Sequence, residues 1–165
     1  MPRPMTVSES VDIAADPATV YAQVSDPTQT GRWSPENVGA SVDGGASGSL
    51  PVGAVFVGRN RRFRARWVTR CRVTAADPGR RFQFAVEAIG LRTPRLRAPI
   101  ATWTYDLVAH DGGTRVIETW DDGRRRWPDA LAAVFDRVVT RSSFPEFNRR
   151  NIRTTLDNLK AELER

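Results

Sequence analysis

Phe63-Arg-Ala-Arg-Trp67-Val-Thr-Arg-Cys71-Arg-Val73-Thr74 is the stretch from which the fold is read. Every second residue, Phe63, Ala65, Trp67, Thr69, Cys71 and Val73, is uncharged, and the positions between them are arginine apart from Val68. A period of two sends alternate side chains to opposite faces, so this segment is a strand with one dry and one wet face. The arginine cluster therefore reads first as the solvated side of a sheet.

Towards the C-terminus, Asp77-Pro78-Gly79 is a turn, and Arg81 to Val86 alternates again with Phe82, Phe84 and Val86 on one face. A proline-bearing connection from Gly90 to Pro99 leads to a strand at Ala101 to Val108, which aligns Trp103, Tyr105 and Leu107. Asp111-Gly112-Gly113 signals a hairpin before the strand Thr114 to Trp120, where Val116, Glu118 and Trp120 share a face. Towards the N-terminus, Val52 to Gly58 forms a strand joined through a turn at Asn60-Arg61, and Asn37 to Val42 forms a shorter one. Asp43 to Pro51, rich in glycine and serine, reads as a mobile loop.

Thr6 to Ile13 alternates as the first strand. Asp16-Pro17 starts a helix with Val20, Tyr21 and Val24 at helical spacing, and Asp26-Pro27 precedes a second short helix from Thr28 to Trp33. Beyond Asp121-Asp122-Gly123 the period becomes helical. Leu131, Val134, Phe135, Val138 and Val139 make one stripe, and Ile152, Leu156, Leu159 and Leu163 make another. Ser143-Phe-Pro145-Glu146 between them has the spacing of a capping box, so either a kink or a fresh helix start is expected there. Strands in hairpin succession followed by helix give the α+β class, with an antiparallel sheet of about seven strands and a long C-terminal helix.

The 165 residues suit a single domain, 1–165, large enough to bury a core without a staple. One cysteine, Cys71, excludes an internal disulfide, and one histidine, His110, leaves too few soft ligands for a structural zinc. No window approaches the ~20 apolar residues of a transmembrane segment, and the N-terminus has no secretory signal, so a soluble protein of the reducing cytoplasm is expected. Phosphate-cradling, dinucleotide-binding and serine-hydrolase motifs are lacking, and no cofactor is expected.

Taken in order, several short motifs resemble the START-like (SRPBCC) superfamily, and within it the bacterial polyketide cyclase/dehydrase-like proteins. They are Ile13-Ala-Ala-Asp-Pro17 with Val20-Tyr21, Asp26-Pro-Thr-Gln-Thr-Gly-Arg-Trp33-Ser-Pro-Glu36, Phe56-Val-Gly-Arg-Asn60-Arg, Trp67-Val-Thr-Arg-Cys71-Arg-Val73, Trp103-Thr-Tyr105, Gly113-Thr-Arg-Val116 and Thr155-Leu156-Asp-Asn-Leu159-Lys-Ala. The resemblance implies a helix-grip: a curved sheet wrapped around the C-terminal helix, with a cavity between them for a hydrophobic small molecule.

On that fold the dry faces bring Phe63, Trp67, Phe82, Phe84, Trp103, Tyr105 and Trp120 around one interior volume, with Trp33 adding apolar contact. Glu118 has the parity of an interior carboxylate, which needs a partner or a raised pKa. It either serves as acid/base in a cyclisation or dehydration, or pairs with an arginine near the strand end. Glu36 lies near the expected cavity mouth, where Arg59 is a candidate partner, and Asn60 is placed either to orient a ligand carbonyl or to sit in a turn. Cys71 reads as an inert buried thiol, and Asp121-Asp122 with Glu118 as a strand end and turn, not a metal site. The leading function is binding or carriage of a lipid or polyketide-like molecule, the alternative a cyclase, aromatase or dehydratase using Glu118. A further reading has Arg62, Arg64, Arg66, Arg70 and Arg72 meeting nucleic acid or anionic lipid. Nucleic acid is disfavoured, since those arginines are not interleaved with exposed aromatics.

Overall fold

The computed structural model describes residues 2–165. Seven strands form one curved antiparallel sheet: β1 (Thr6–Ile13), β2 (Asn37–Val42), β3 (Val55–Arg62), β4 (Ala65–Asp77), β5 (Arg81–Gly90), β6 (Leu96–His110) and β7 (Gly113–Asp122), in the spatial order β1-β7-β6-β5-β4-β3-β2. Only β1 departs from a simple meander. It pairs with β7 and so leaves β2 at the far edge.

Three α-helices complete the chain, α1 (Pro17–Val24), α2 (Asp129–Thr140) and α3 (Phe144–Leu163), with 3-10 helices at Pro27–Arg32 and Asp43–Gly45. Asp16 caps α1 by accepting from the Thr19 amide at 3.0 Å, and Pro17 fills the first helical position. Asp111 (φ 41°) and Gly112 (φ 78°) form the two-residue turn between β6 and β7, the left-handed pair that such a hairpin needs.

The inner face of the sheet carries the core. Cross-strand partners Tyr105 and Phe82, Trp103 and Trp120, Val7 and Trp120, and Cys71 and Phe56 all turn towards it. Helix α3 packs along β1 and β7 through Ile152, Leu156 and Leu159. One bulge lies in β4 between Val73 and Ala75, beyond which Ala76 stands opposite Phe82.

Several expectations are corrected. The turn after β3 is Phe63-Arg64, not Asn60-Arg61, because Arg62 pairs across to Ala65 and its inward side chain finds a partner in Glu36. Phe63 is consequently not an interior residue: it sits on the turn at φ 54° and is 62% exposed. Arg59 lies on the outer face, where its guanidinium donates to Ser41 Oγ at 3.0 Å. Strand β6 begins at Leu96, so the second half of the proline-bearing connection, residues 96–99, is strand and the loop shortens to residues 91–95. Of the two alternatives at Ser143 to Glu146, the fresh helix start holds: α2 ends at Arg141 in a left-handed cap, and Ser143 begins α3 by accepting from the Glu146 amide at 3.3 Å. The glycine/serine loop is pinned, since Gly48 donates to Asp26, Leu50 donates to the Ser25 carbonyl, and Leu50 is buried.

Candidate functional site

The alternation that builds β6 and β7 places Tyr105 and Glu118 directly opposite each other on the inner face. Tyr105 Oη donates to Glu118 Oε1 at 2.9 Å, and both residues are buried. Trp103 and Trp120 form the next cross-strand pair along the same two strands, and Phe82 stands beside Tyr105 on β5. Glu118 is therefore a carboxyl group set in an aromatic wall.

Among the described residues it has no counter-ion. The residue opposite it on β1 is Glu9, which takes Arg149 at 3.2 Å and Arg153 at 3.1 Å from α3. No arginine reaches Glu118. Burial pushes its carboxyl up to about 8, against a smaller opposing effect of the Tyr105 hydrogen bond, so the acid is mainly neutral at pH 7. Burial and the neighbouring carboxyl likewise hold the Tyr105 hydroxyl well above its ordinary value. Glu118 Oε2 is buried with no hydrogen-bond partner among the described residues. A neutral carboxyl with a free oxygen can donate one hydrogen bond or accept another, and buried groups of this kind are ordinarily satisfied by something.

The second polar spot on the inner face was not legible in the sequence. Arg62 donates to Glu36 Oε2 through Nε at 3.1 Å and Nη2 at 2.8 Å, and Asn151 of α3 donates to the same oxygen at 3.3 Å. The Arg62 guanidinium lies over Phe147 at 4.0 Å and Trp67 at 5.2 Å. Glu36 thus pairs with Arg62 and not with Arg59. The available signal was the shared parity of Phe56, Gly58, Asn60 and Arg62, hidden by placing the turn three residues too early.

Asn60 is inward but committed: it accepts from Asn37 at 3.3 Å and donates to Thr69 Oγ1 at 3.2 Å. With Arg59, Trp67 and Leu91 it lines an open recess of about 310 Å³ at the β2–β4 side of the sheet. A second recess of about 310 Å³ lies on β5 and β6 around Glu87 and Pro99. Neither is lined by Glu118. Trp33 is buried beneath the 3-10 helix, its carbonyl accepting from Asn158 at 2.9 Å. Phe84, Trp103 and Trp67 are only half-buried, because α3 covers β1 and β7 and leaves the inner face across β4 to β6 partly open. Phe82, Phe84, Trp103, Tyr105, Glu118 and Trp120 are brought together there.

Other sequence candidates fall outside this site. Cys71 is buried, and desolvation pushes its thiol up to about 12, which leaves it unreactive at neutral pH. Asp122 and Glu118 do not converge on a common point, since Asp122 is engaged by Arg124 at 2.8 Å. Arg70 and Arg72 stand on the outer face beside Glu87.

A sheet that grips a C-terminal helix and turns an aromatic face towards it defines a helix-grip protein. The chain belongs to the polyketide cyclase/dehydrase and lipid transport family, whose model matches residues 4–164. It is similar to a polyketide-cyclase-like protein of Corynebacterium glutamicum, with 30% identity, a TM-score of 0.59, and 99% of this chain and 94% of that one covered. The major latex-like protein 151 of Panax ginseng has a TM-score of 0.67 at 11% identity, covering 97% and 99% of the two chains. A protein of Chromobacterium violaceum has a TM-score of 0.65 at 16% identity, covering 98% and 99%. The last two likenesses speak for the fold alone. No match was found among curated proteins. No helix among the described residues is long and apolar enough to cross a membrane.

Proposed function

We propose that this protein binds and carries a hydrophobic small molecule, lipid or polyketide-like, against the aromatic inner face between the sheet and α3, and that it does so in the cytoplasm. The observation that carries this reading is Glu118: a neutral, buried carboxyl with a free Oε2, on the same face of the sheet as Trp120, Tyr105 and Phe82. Apolar surface supplies the affinity in such a site, and one or two fixed polar groups orient the ligand. Glu118 and Tyr105 would take a ligand carbonyl or hydroxyl, with Trp103 and Phe84 against its rings or chain. Family membership supports a hydrophobic ligand in general terms.

The test is native mass spectrometry of protein purified from its own host, followed by solvent extraction and identification of the released compound. A stoichiometric apolar molecule is expected, and Trp103→Ala should lower its occupancy. An empty protein that also fails to bind lipids, polyketides and apolar dyes would overturn the proposal.

A second reading is favoured by the same carboxyl. A group that titrates near 8 is suited to give and take a proton at neutral pH, as an aldol-type cyclisation or a dehydration requires. Glu118→Gln separates the two: an enzyme keeps binding and loses turnover, whereas a carrier has no turnover to lose.

A further inference from the structure

Helix α2 is built inside out. Its buried line is Ala132, Asp136 and Thr140, whereas Leu131, Val134 and Val138 on the opposite side are 55%, 64% and 77% exposed. A helix on a globular surface ordinarily does the reverse. The inward polar groups are satisfied, with Asp136 accepting from Arg124 at 2.8 Å and from the Phe144 amide at 3.1 Å. The helix is thus anchored by polar contacts in an orientation that leaves its apolar stripe outermost.

Other exposed apolar tips gather at the same end. In this meander the β3–β4 turn, the β5–β6 turn and the exit from β7 towards α2 all lie at one end of the sheet. There Leu91 is 83% exposed, Leu96 68% and Phe63 62%. Phe63 holds a left-handed backbone that a bulky residue adopts at a cost, and burial of its ring does not compensate it. Its ring meets the guanidinium of Arg141, the C-cap of α2, at 4.5 Å, so turn and helix form one surface.

Charge is concentrated on that end as well. Segments 61–66, 91–97 and 124–141 hold twelve arginines and two aspartates, a net +10, while the remaining residues hold thirteen basic and seventeen acidic groups, a net −4. Both aspartates are engaged, Asp129 by Arg3 and Asp136 by Arg124. By contrast Arg125, Arg126, Arg137 and Arg141 have no carboxylate partner among the described residues.

We propose that this end of the molecule docks on an anionic lipid bilayer, with α2 lying in the interface plane. Leu131, Val134 and Val138 enter the headgroup boundary with the Phe63 and Leu91 tips, and the arginines rim them against lipid phosphates. An interface of this kind takes apolar side chains and supplies anions at once. A second copy would bring two strongly positive ends face to face, and like charges oppose that pairing. A nucleic acid would match the arginines and leave the aliphatic stripe in water. The docking is independent of whether the interior holds a ligand.

The test is co-flotation of the full chain with phosphatidylcholine vesicles, with and without phosphatidylglycerol, at low and high salt. Binding is expected to the phosphatidylglycerol vesicles and to weaken with salt. Each arginine near an anionic surface contributes about fivefold in affinity, so Arg125→Ala combined with Arg126→Ala should weaken binding about 25-fold. Val134→Asp with Val138→Asp should abolish it, and thermal melts should show both variants folded, since all four side chains are exposed. Glu118→Gln should leave vesicle binding unchanged. No binding to phosphatidylglycerol vesicles overturns the proposal. So does binding that the two valine substitutions leave intact, or a dimer or nucleic-acid complex formed by a protein that ignores vesicles.

Discussion

Buried carboxyl groups occur at the C-terminal end of β7 and in the middle of the same strand, and they are treated differently. At the C-terminal end Asp122, with Asp136 from α2, closes around Arg124, each carboxylate 2.8 Å from the guanidinium, and Arg3 adds a further cation 3.6 Å from Asp122. In mid-strand Glu118 has a tyrosine hydroxyl and an unsatisfied oxygen. The first is charge-balanced, so its groups hold an architecture: the end of the sheet, the N-terminal segment and α2. The second is charge-deficient, and folding alone gives no reason to retain it, since an apolar side chain there would avoid the desolvation cost. A buried acid without a cation marks where selection acts on something other than stability.

The largest expected effect breaks the balanced cluster. Arg124→Ala leaves Asp122 and Asp136 buried without their main cation and should cost about 3–5 kcal/mol in urea denaturation. A loss below 1 kcal/mol would mean that the two carboxylates find other partners.

The next effect comes from the unbalanced acid and has a pH signature. The unfolded Glu118 carboxyl loses its proton near 4.5 and the folded one near 8, so between those values the native state binds more protons than the unfolded state. Stability should then fall as pH rises, by roughly 1.4 kcal/mol per pH unit, and level off above pH 8. Glu118→Gln removes that slope. Relative to the parent, the variant should gain stability steadily from about pH 5 to pH 8. Parallel pH–denaturation curves for the two proteins would remove the ground for calling Glu118 uncompensated.

The smallest effect sharpens the same contrast. Tyr105→Phe removes the hydrogen bond that opposes the upward shift, worth about 1 kcal/mol. The pH at which the Glu118 contribution levels off should therefore move up by less than about one unit. Following the carboxyl resonance of Glu118 by NMR through the titration would read this directly.

Much of the inner face was legible because alternation is a local property. The boundaries of β1 and β2, the N-cap at Asp16 and the common face of Phe82, Tyr105, Glu118 and Trp120 follow from periodicity and capping chemistry. Arg62 was not legible, because a three-residue displacement of one turn decides whether an arginine joins the wet face or reaches Glu36. The stripes on α2 and α3 look alike in sequence, since periodicity shows that a helix has an apolar face and says nothing of what covers it. Only the contacts of Asp136 and Thr140 reveal that α2 presents that face outward. The partner of Glu118 was likewise a long-range matter: Arg149 and Arg153 of α3 are taken by Glu9, one strand away.

The way α2 is attached also governs how the chain opens. Beyond Ala132, Asp136 and Thr140 it buries little, whereas α3 is fixed by three fully enclosed aliphatic residues, Ile152, Leu156 and Leu159. Its amides should therefore exchange with solvent through detachment of that one helix, while those of α3 await global unfolding. Under brief trypsin treatment the first cuts should fall at Arg137 and Arg141, leaving the sheet and α3 on two separate pieces that stay associated through the core. The molecule would then behave as two cooperative units of unequal strength within one chain, the weaker of them being the one that faces outward.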